Sequence, residues 1–385
     1  MLQGKINTTR NCINHWEVSL LSEKIAILGD GCASLSFAAK AGSLADYEIT
    51  VIKPTGAPKS KDHAWGFWSD DVLKDAEDIA RYSWNKWAIV TEQDCAVMSS
   101  ESKKYHSFKR FDWIENRRGL AINNGVEFKN QSEVNLEDFS HVFDSRPPEV
   151  PDGAVLQHFY GIEVEASKDV FDPSTVLLMD FRVDQQNGMH FVYVLPYSKR
   201  KALIESTLFS EKVCDESYYA NSISEYLKAY FKLEDYKITH REKGVIPLGN
   251  LFPHDPDIAG MGANAGATRP ASGYAFLFIQ RQIRDALHRV QKGSKLDFRD
   301  PHTRIDRWMD SMLLAVLKHW PEYGPSLFFR MGKSLNGDQF VKFMSGDAGF
   351  WIKAKVILSM PKKPFIKVLT NPKLRKIKKS RTAIA

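Results

Sequence analysis

Two short apolar runs near the start of the chain flank a turn that contains glycine. Lys24–Leu28 predicts a buried strand and Tyr47–Ile52 predicts a second one. The residues between them, from the glycine turn to about Ala41, predict a helix. A strand, a helix and a strand over this length form a βαβ unit, which is typical of nucleotide-binding folds.

The middle of the chain alternates apolar and polar residues, as strands of a half-buried sheet do. Residues 155–209 alternate in this way, for example at Phe191, Tyr193 and Leu195, and predict adjacent antiparallel strands. Later segments repeat apolar residues at helical spacing. These segments predict helices over Ser222–Phe231, Ser272–Val290 and Trp308–Lys318.

Length and composition indicate a folded chain with a sizeable core. The chain has 385 residues, of which 43% are hydrophobic and 26% are charged. Its apolar runs are too short to predict a helix that spans a membrane. The four cysteines lie far apart in the sequence, so we predict no metal site. The first residues lack the apolar segment of a signal peptide, which favours a cytoplasmic protein.

Positive charge is concentrated near the C-terminus. No acidic residue follows Asp347, whereas eleven lysines and arginines do. Phe350–Ile352 and Val356–Met360 lie among the first of them. Apolar anchors beside lysines favour an anionic membrane surface, where each basic residue adds roughly 1 kcal/mol. A solvated tail and nucleic-acid binding are the alternatives. We expect peripheral membrane association and no nucleic acid, because no recognition helix or RNA-binding aromatic motif accompanies the lysines.

The first strand-to-helix turn carries the pattern of a phosphate-binding site. Gly29 and Gly31 fit the first two positions of the dinucleotide fingerprint, and Ser34 is a small residue at the third. Lys53 follows the second strand, where an acidic residue commonly binds the ribose. Lysine cannot accept a hydrogen bond from the diol, although it can pair with a phosphate. The turn therefore predicts a dinucleotide site with either another ribose partner or weakened cofactor binding.

A second segment of small residues lies just before the helix predicted from Ser272. It contains Gly262, Gly266 and Gly273. In folds with two dinucleotide motifs, such a turn brings backbone amides to the flavin side of the pyrophosphate. The alternative is an ordinary turn in which Ser272 caps the helix.

These motifs occur together with others in a fixed order. The full set comprises the Gly29/Gly31 turn, Trp65–Trp68, Asp144–Arg146, Gln157–Gly161, Met179–Arg182, Phe191–Pro196, Glu205–Thr207, Glu242–Pro247 and Gly266–Tyr274. In this order the set resembles the lycopene cyclase family of the bacterial β-cyclase type. The chain departs from the family pattern at Ser34, at Lys53 and at Ser206, which occupies a position that is often acidic.

The resemblance implies a fold and an activity. The fold is α/β, a Rossmann-like FAD-binding fold of the two-dinucleotide-motif flavoprotein type, with an inserted antiparallel β substrate domain and a C-terminal helical region. We expect the FAD-binding domain at residues 24–150 and 235–300, the substrate domain at 151–234, and the helical region with its basic tail at 301–385. The implied activity is an isomerase reaction that closes the linear ends of lycopene into β-ionone rings, giving γ-carotene and β-carotene. It uses reduced FAD, with NAD(P)H as the electron donor, and has no net redox change.

Ring closure of this kind needs an acid in a dry, apolar site. Protonating an alkene makes a carbocation that water would trap, so water has to be excluded. The acid must also stay protonated near neutral pH, which an apolar site promotes by raising its pKa. Glu205 is flanked by apolar residues on both sides and is our predicted general acid/base. The alternative is an exposed glutamate on a strand.

Three other charged residues accompany Glu205 in the implied site. Asp180 either helps to position the acid or the flavin, or forms a structural ion pair with Arg182, since residues i and i+2 share one face of a strand. Glu242 is a candidate second carboxylate, or alternatively caps a turn before Gly244.

Aromatic residues in the same motifs are candidates for binding the substrate. The π faces of aromatic rings stabilise cations, and on this ground we predict substrate contacts from Trp65, Trp68, Phe181 and Tyr193, or else core packing. Other functions share such folds. A flavin monooxygenase or polyprenyl reductase would consume NAD(P)H in proportion to product. A non-catalytic carotenoid-binding protein would release lycopene unchanged.

Overall fold

A computed structural model describes residues 22–44, 46–57, 61–375 and 381–382 of the chain. The strands are β1 Glu23–Leu28, β2 Tyr47–Lys53, β3 Ala64–Trp68, β4 Tyr82–Trp84, β5 Lys86–Val90, β6 Cys95–Ser99, β7 Tyr105–Lys109, β8 Glu127–Asn130, β9 His141–Asp144, β10 Val150–Pro151, β11 Leu156–Ala166, β12 Thr175–Asp180, β13 Met189–Pro196, β14 Lys201–Ser210, β15 Tyr236–Pro247, β16 Ala259–Gly260 and β17 Arg381–Thr382. The helices are α1 Cys32–Ala38, α2 Lys74–Asp78, α3 Arg110–Asn123, α4 Glu216–Phe231, α5 Phe276–Gln291, α6 Arg304–His319, α7 Gly324–Ser334, α8 Gly337–Met344, α9 Phe350–Ser359 and α10 Lys362–Thr370.

A parallel sheet contains the predicted βαβ unit. Its strand order is β16-β9-β1-β2-β8, and every neighbouring pair is parallel. Ile25 and Ile27 of β1 are fully buried and pack with Phe37 of α1 and Phe278 of α5. Apolar residues on β1 and on both helices therefore form one core, as expected for a parallel sheet covered by helices.

The largest sheet has seven strands in the order β15-β11-β14-β13-β12-β5-β6. All of its neighbouring pairs are antiparallel except β12 with β5. The four strands β11–β14 of the predicted region at 151–234 belong to this sheet, and the sheet contains further strands from outside that region. Residues 86–99 and 236–247, which we expected in the nucleotide-binding part, pair with it instead. Strand β15 pairs with β11 at one edge of the sheet, and at the other edge β5 pairs with β12 and carries β6.

The two faces of the seven-stranded sheet have different neighbours. Ile204 and Leu208 of β14 pack in a cluster with residues of α4. Leu203 and Phe209 belong instead to the core that contains Trp68 of β3 and apolar residues of α6–α10. Side chains alternate across a strand, so Glu205 lies on the same face as Leu203. A small sheet of order β3-β7-β4 completes this side of the structure.

The predicted helices exist, but their ends differ from those expected. The helix predicted from Ser222 begins earlier, at Glu216, and the helix predicted over Trp308–Lys318 spans Arg304–His319, with the Thr303 side chain accepting a hydrogen bond from the Asp306 N–H. The helix predicted from Ser272 begins only at Phe276. Gly273 has a φ of +66°, a left-handed conformation that no helix residue adopts, so Ser272 belongs to a turn and does not cap the helix.

Helix α1 is shorter than predicted. It ends at Ala38 and is followed by one 3₁₀ turn at Ala41–Ser43. Within the described residues, no helix is both long and apolar enough to cross a membrane.

Candidate functional site

Two carboxyl groups meet on the three strands β15, β11 and β14 at one edge of the seven-stranded sheet. Gly161 of β11 is paired with Glu205 of β14 on one side and with Glu242 of β15 on the other. The two glutamate side chains form a hydrogen bond with each other above this glycine. A methyl group at position 161 would lie 2.8 Å from Glu205 Cγ and 3.2 Å from Glu242 Cγ, so only glycine leaves room for the pair.

The two carboxyl groups have opposite pKa shifts. Burial raises the pKa of Glu205 well above its ordinary value, and the negative charge of Glu242 raises it further, against a smaller opposing effect of Lys109. Burial also disfavours charge on Glu242, but hydrogen bonding to His240 and the positive charge of Lys109 outweigh it and lower the pKa of Glu242. A pair of acids with separated pKa values holds one proton near neutral pH. The two shifts make Glu205 the member of the pair that holds a proton more tightly.

Glu242 is surrounded by groups that stabilise its charge. Its side chain is fully buried, and the backbone N–H of Ala64 donates to its two oxygens at 3.3 and 3.2 Å. His240 Nε2 lies 3.5 Å and Lys109 Nζ 3.7 Å from Glu242 Oε2. The predicted second carboxylate is therefore present beside Glu205, and its side chain does not cap a turn near Gly244.

An aromatic wall lies on the other side of Glu205. Tyr193 of β13 is paired directly with Glu205, and its hydroxyl lies 2.8 Å from the hydroxyl of Tyr105. Trp68 packs on Tyr105 with ring centroids 4.8 Å apart. Tyr274 donates from its hydroxyl to the Gly66 carbonyl at 3.0 Å. Glu205 therefore lies between a charged cluster and an aromatic one.

Three of the four predicted aromatic residues share the core on the Glu205 face. Trp68, Phe181 and Tyr193 pack in it, and Phe181 lies 5.8 Å from Phe191 between ring centroids. Trp65 does not, because it points to the opposite side of β3. It packs on Phe276 and lies beneath the guanidinium of Arg110.

Asp180 and Arg182 lie away from Glu205. Asp180 is fully buried and accepts hydrogen bonds from Arg182 Nε at 2.9 Å, Arg182 Nη2 at 2.6 Å and the Tyr226 hydroxyl at 2.6 Å. Tyr226 belongs to α4, so this carboxylate points to the face of the sheet opposite Glu205. The structure contains the predicted ion pair and places neither Asp180 nor Arg182 beside Glu205.

Ser206, the departure next to Glu205, also points toward α4. Its hydroxyl lies 2.8 Å from His190 Nε2 in a buried contact. Adjacent residues of a strand project to opposite faces. The serine therefore leaves the surroundings of Glu205 unchanged.

The two small-residue segments predicted for a dinucleotide come together in the parallel sheet. Gly29 has a φ of +105° and packs against Ser145, and Gly31 precedes α1 with open space where a side chain would lie. Ser34 is buried and donates to the Gly31 carbonyl at 3.0 Å. A methyl group on Gly262 would lie 2.4 Å from Ala33 Cβ, so the second segment is in close contact with α1.

The second segment continues from α1 toward the carboxyl pair. Gly266 and Gly273 both adopt positive φ, and Gly273 packs against Ile246 of β15. The Tyr274 N–H donates a hydrogen bond to Ser272 Oγ, with 3.4 Å between the nitrogen and the oxygen. This segment therefore links the glycine turn at Gly29 to the strand that carries Glu242.

Lys53 lies at the exposed end of β2. Its backbone is paired with Asn130 of β8. A neutral amide and a lysine therefore occupy the position at which an acidic ribose partner is common.

The sequence did not indicate the residues that set the charge on Glu242. Lys109 lies about 130 residues before Glu242, and Ala64 contributes only its backbone N–H. His240 was identifiable in principle, because it shares a strand face with Glu242 at i−2. The other contacts depend on strand pairing across the fold.

Comparison with known proteins identifies the family. Residues 24–370 match the model of the lycopene cyclase protein family. The lycopene β-cyclase of Paracoccus sp. (strain N81106 / MBIC 01143) is 25% identical over 222 residues, which are 49% of this chain and 56% of that protein. The chloroplastic lycopene beta cyclase of Nicotiana tabacum is 28% identical over 290 residues, which are 65% of this chain and 56% of that protein. The alignments thus span little more than half the length of these curated relatives.

Solved structures share the fold at low sequence identity. A geranylgeranyl bacteriochlorophyll reductase-like protein from Thermoplasma acidophilum has a TM-score of 0.57 and 11% identity, covering 90% of this chain and 99% of that chain. The flavin-dependent brominase Bmp2 has a TM-score of 0.58 and 13% identity, covering 91% and 99%. These matches confirm the predicted α/β flavoprotein fold. Because the family model spans most of the sequence, the chain belongs to the lycopene cyclase family.

Proposed function

We propose that this protein is a lycopene β-cyclase, an isomerase that closes the ends of lycopene or a related acyclic carotenoid into β-ionone rings. The observation that carries the proposal is the contact of Glu205 with the fully buried Glu242 beside Gly161, where the pKa of Glu205 is raised and that of Glu242 is lowered. The family match and the names of the curated relatives support the same activity.

Glu205 supplies the proton in this mechanism. Its carboxylic acid transfers the proton to a carbon of the terminal alkene, which leaves a tertiary carbocation. The neighbouring double bond attacks the cation, and loss of a proton from the ring to a carboxylate restores the starting charge. Atoms and electrons balance without net oxidation, as an isomerase requires. The aromatic rings of Trp68 and Tyr193 exclude water and stabilise the cationic stage through their π faces.

The glycine segments fit a bound FAD. Gly29, Gly31, Ser34 and Lys53 would hold its adenosine and pyrophosphate part, and Gly262, Gly266, Ser272 and Gly273 its flavin side. A pyrophosphate would lie at Gly31, where the space that a side chain would fill is open. The N–H groups of Gly29 and Gly262 already donate to the Ile52 carbonyl and to the Gln282 side chain. When bound, reduced FAD supplies negative charge that stabilises a cation, and NAD(P)H supplies the electrons that keep it reduced.

The C-terminal helices offer a surface for an anionic membrane, in which a carotenoid dissolves. The exposed fractions of Phe350, Trp351 and Leu358 on α9 are 72%, 82% and 74%. Lys355 is exposed among them, and Lys362, Lys363 and Lys367 are exposed on α10, whereas Lys353 is buried against Asp306. Lys376, Lys378 and Lys379 fall outside the described residues. Exposed apolar anchors with interspersed lysines are the composition that binds the lipid interface.

Expression in a lycopene-accumulating bacterial host tests the proposal. We expect extracted pigments to shift from lycopene to γ-carotene or β-carotene, and Glu205→Gln to abolish the shift. Glu165→Gln is the matched control, because Glu165 lies on the same sheet in an exposed pair with Lys201 and should keep full activity. Unchanged lycopene from well-folded wild-type protein would contradict the proposal.

The ratio of NAD(P)H oxidised to product formed distinguishes a cyclase from the redox alternatives. A cyclase needs NAD(P)H only to reduce its flavin, so the amount oxidised should stay far below the amount of product. A polyprenyl reductase or a monooxygenase would oxidise one equivalent for each product formed. A carrier would bind lycopene and release it unchanged.

A further inference from the structure

We propose that Lys109 and His240 are positioning residues that keep the negative charge on Glu242, so that the proton shared by the carboxyl pair stays on Glu205. The inference rests on the proposed function, because it names the residues that prepare the acid for the same reaction. Neither residue needs to touch the substrate. Both act through Glu242.

The two carboxyl groups have different neighbouring side chains. Glu242 has the Lys109 ammonium and the His240 imidazole within 4 Å, at 3.7 Å for Lys109 Nζ and 3.5 Å for His240 Nε2, and accepts hydrogen bonds from the Ala64 N–H. Glu205 instead faces the hydroxyls of Tyr105 and Tyr193 and the core behind them. A negative charge is therefore much better stabilised on Glu242 than on Glu205.

Other titratable groups face the pair from each neighbouring element. His63, which precedes β3, interacts with Glu242, and Tyr197 beyond β13 interacts with both carboxylates. Glu163 of β11 contacts Lys109 Nζ at 2.5 Å. Glu163 thereby holds the ammonium in place while offsetting part of its charge.

The charged cluster is located on the solvent side of the pair. A small surface pocket is lined by Ala64, Lys109, Glu163 and Tyr197, together with residues of β4 and β7. The aromatic core lies on the other side of Glu205. Protons can therefore reach the charged cluster from solvent, whereas the aromatic wall contacts Glu205 from its other side.

Infrared titration of the purified protein tests the inference without requiring turnover. Protonated and ionised carboxyl groups absorb at different frequencies, and Glu205→Gln and Glu242→Gln assign the signals of the pair. We expect wild-type protein to show Glu205 protonated and Glu242 ionised at neutral pH. In Lys109→Met we expect Glu242 to take up a proton at a pH higher by about one unit, because removing an opposite charge at this distance raises a carboxyl pKa by that amount or more.

Cyclisation rates give the second readout. In Lys109→Met the pH–rate profile should move to higher pH by about one unit, and Lys109→Arg should restore the original profile. Lys201→Met is the matched control, since Lys201 contacts Glu165 at 3.2 Å on the same sheet and should leave the profile in place. His240→Gln keeps a donor near Glu242 without the charge and should move the profile in the same direction by less.

Two results would overturn the inference. One is a Lys109→Met protein whose activity falls equally at every pH with an unchanged infrared titration, which would indicate a structural role only. The other is wild-type protein in which Glu242 is protonated at neutral pH. If Lys109→Met does not fold, His240→Gln tests the inference by the same two measurements, because His240 is partly exposed and its replacement disturbs the core less. Wild-type protein that shows the expected titration but forms no cyclic product would refute the proposed function and leave the inference intact.

Discussion

Gly161→Ala probes the carboxyl pair by inserting one methyl group between its members. The methyl carbon would lie 2.8 Å from Glu205 Cγ, 3.2 Å from Glu242 Cγ and 3.4 Å from Leu203 Cδ1. Carbon atoms in contact are normally about 3.5 Å or more apart, so Glu205 Cγ has to retreat by roughly 0.7 Å. The displacement pushes the two carboxyl groups apart and breaks their hydrogen bond.

The magnitudes follow from this overlap. Overpacking a core by a methyl group costs about 1–3 kcal/mol, against which alanine recovers about 0.5–1 kcal/mol of backbone entropy relative to glycine in a strand. We therefore expect the free energy of unfolding to fall by about 1–2 kcal/mol. A displacement of this size at a reacting group is expected to reduce the cyclisation rate by about 100-fold.

The assay combines urea unfolding with the rate of lycopene consumption. Gly244→Ala is the matched control, because its methyl group would lie 2.7 Å from Phe159 Cζ on the same pair of strands but not against the carboxyl groups. It should lose comparable stability and keep most of its activity. A Gly161→Ala protein that cyclises lycopene at the wild-type rate, with the infrared signals of the pair unchanged, would refute the reasoning.

Three further predictions concern stability and membrane binding. Asp180→Asn leaves the Arg182 charge without its partner, and we expect urea unfolding to show a loss of about 3–5 kcal/mol while Glu205 keeps its raised pKa. Burial and the nearby His190 lower the pKa of His158 from 6.5 to about 4. The neutral His158 side chain therefore stabilises the folded state fully above pH 6.5, and this stabilisation is lost as the pH falls toward 4. Stability measured across that window should fall less steeply in His158→Gln than in wild type, and equal slopes would contradict the assignment. Trp351→Ser should weaken sedimentation with anionic vesicles at least several-fold, because it removes an exposed interfacial anchor; unchanged sedimentation would exclude this surface.

Local pattern was enough to predict the parts of the fold that depend on neighbouring residues. The βαβ unit and the position of Glu205 among apolar residues follow from contiguous segments. The start of α5 was wrong because the positive φ of Gly273 interrupts an otherwise helical pattern. Propensity alone does not reveal which glycine adopts such a conformation.

Some features of the site depend on strands that are far apart in the sequence, and the sequence alone could not predict them. Asp180 and Glu205 both occupy apolar strands, and only the register and the position of α4 show that they point to opposite faces. Lys109 reaches Glu242 from β7, which belongs to a separate small sheet. A single sequence contains no direct signal for either contact.

The strand that carries Glu242 is also the edge of its sheet. Charged or polar side chains at alternate positions of β15, among them Lys237, Arg241 and Lys243, are exposed, and such an edge resists addition of a strand from another molecule. The same alternation determines what faces Glu205. A register slip of one residue would turn every side chain over and present Arg241 in place of Glu242. The alternating pattern of β15 therefore protects the sheet edge from aggregation and also places the correct carboxylate beside Glu205.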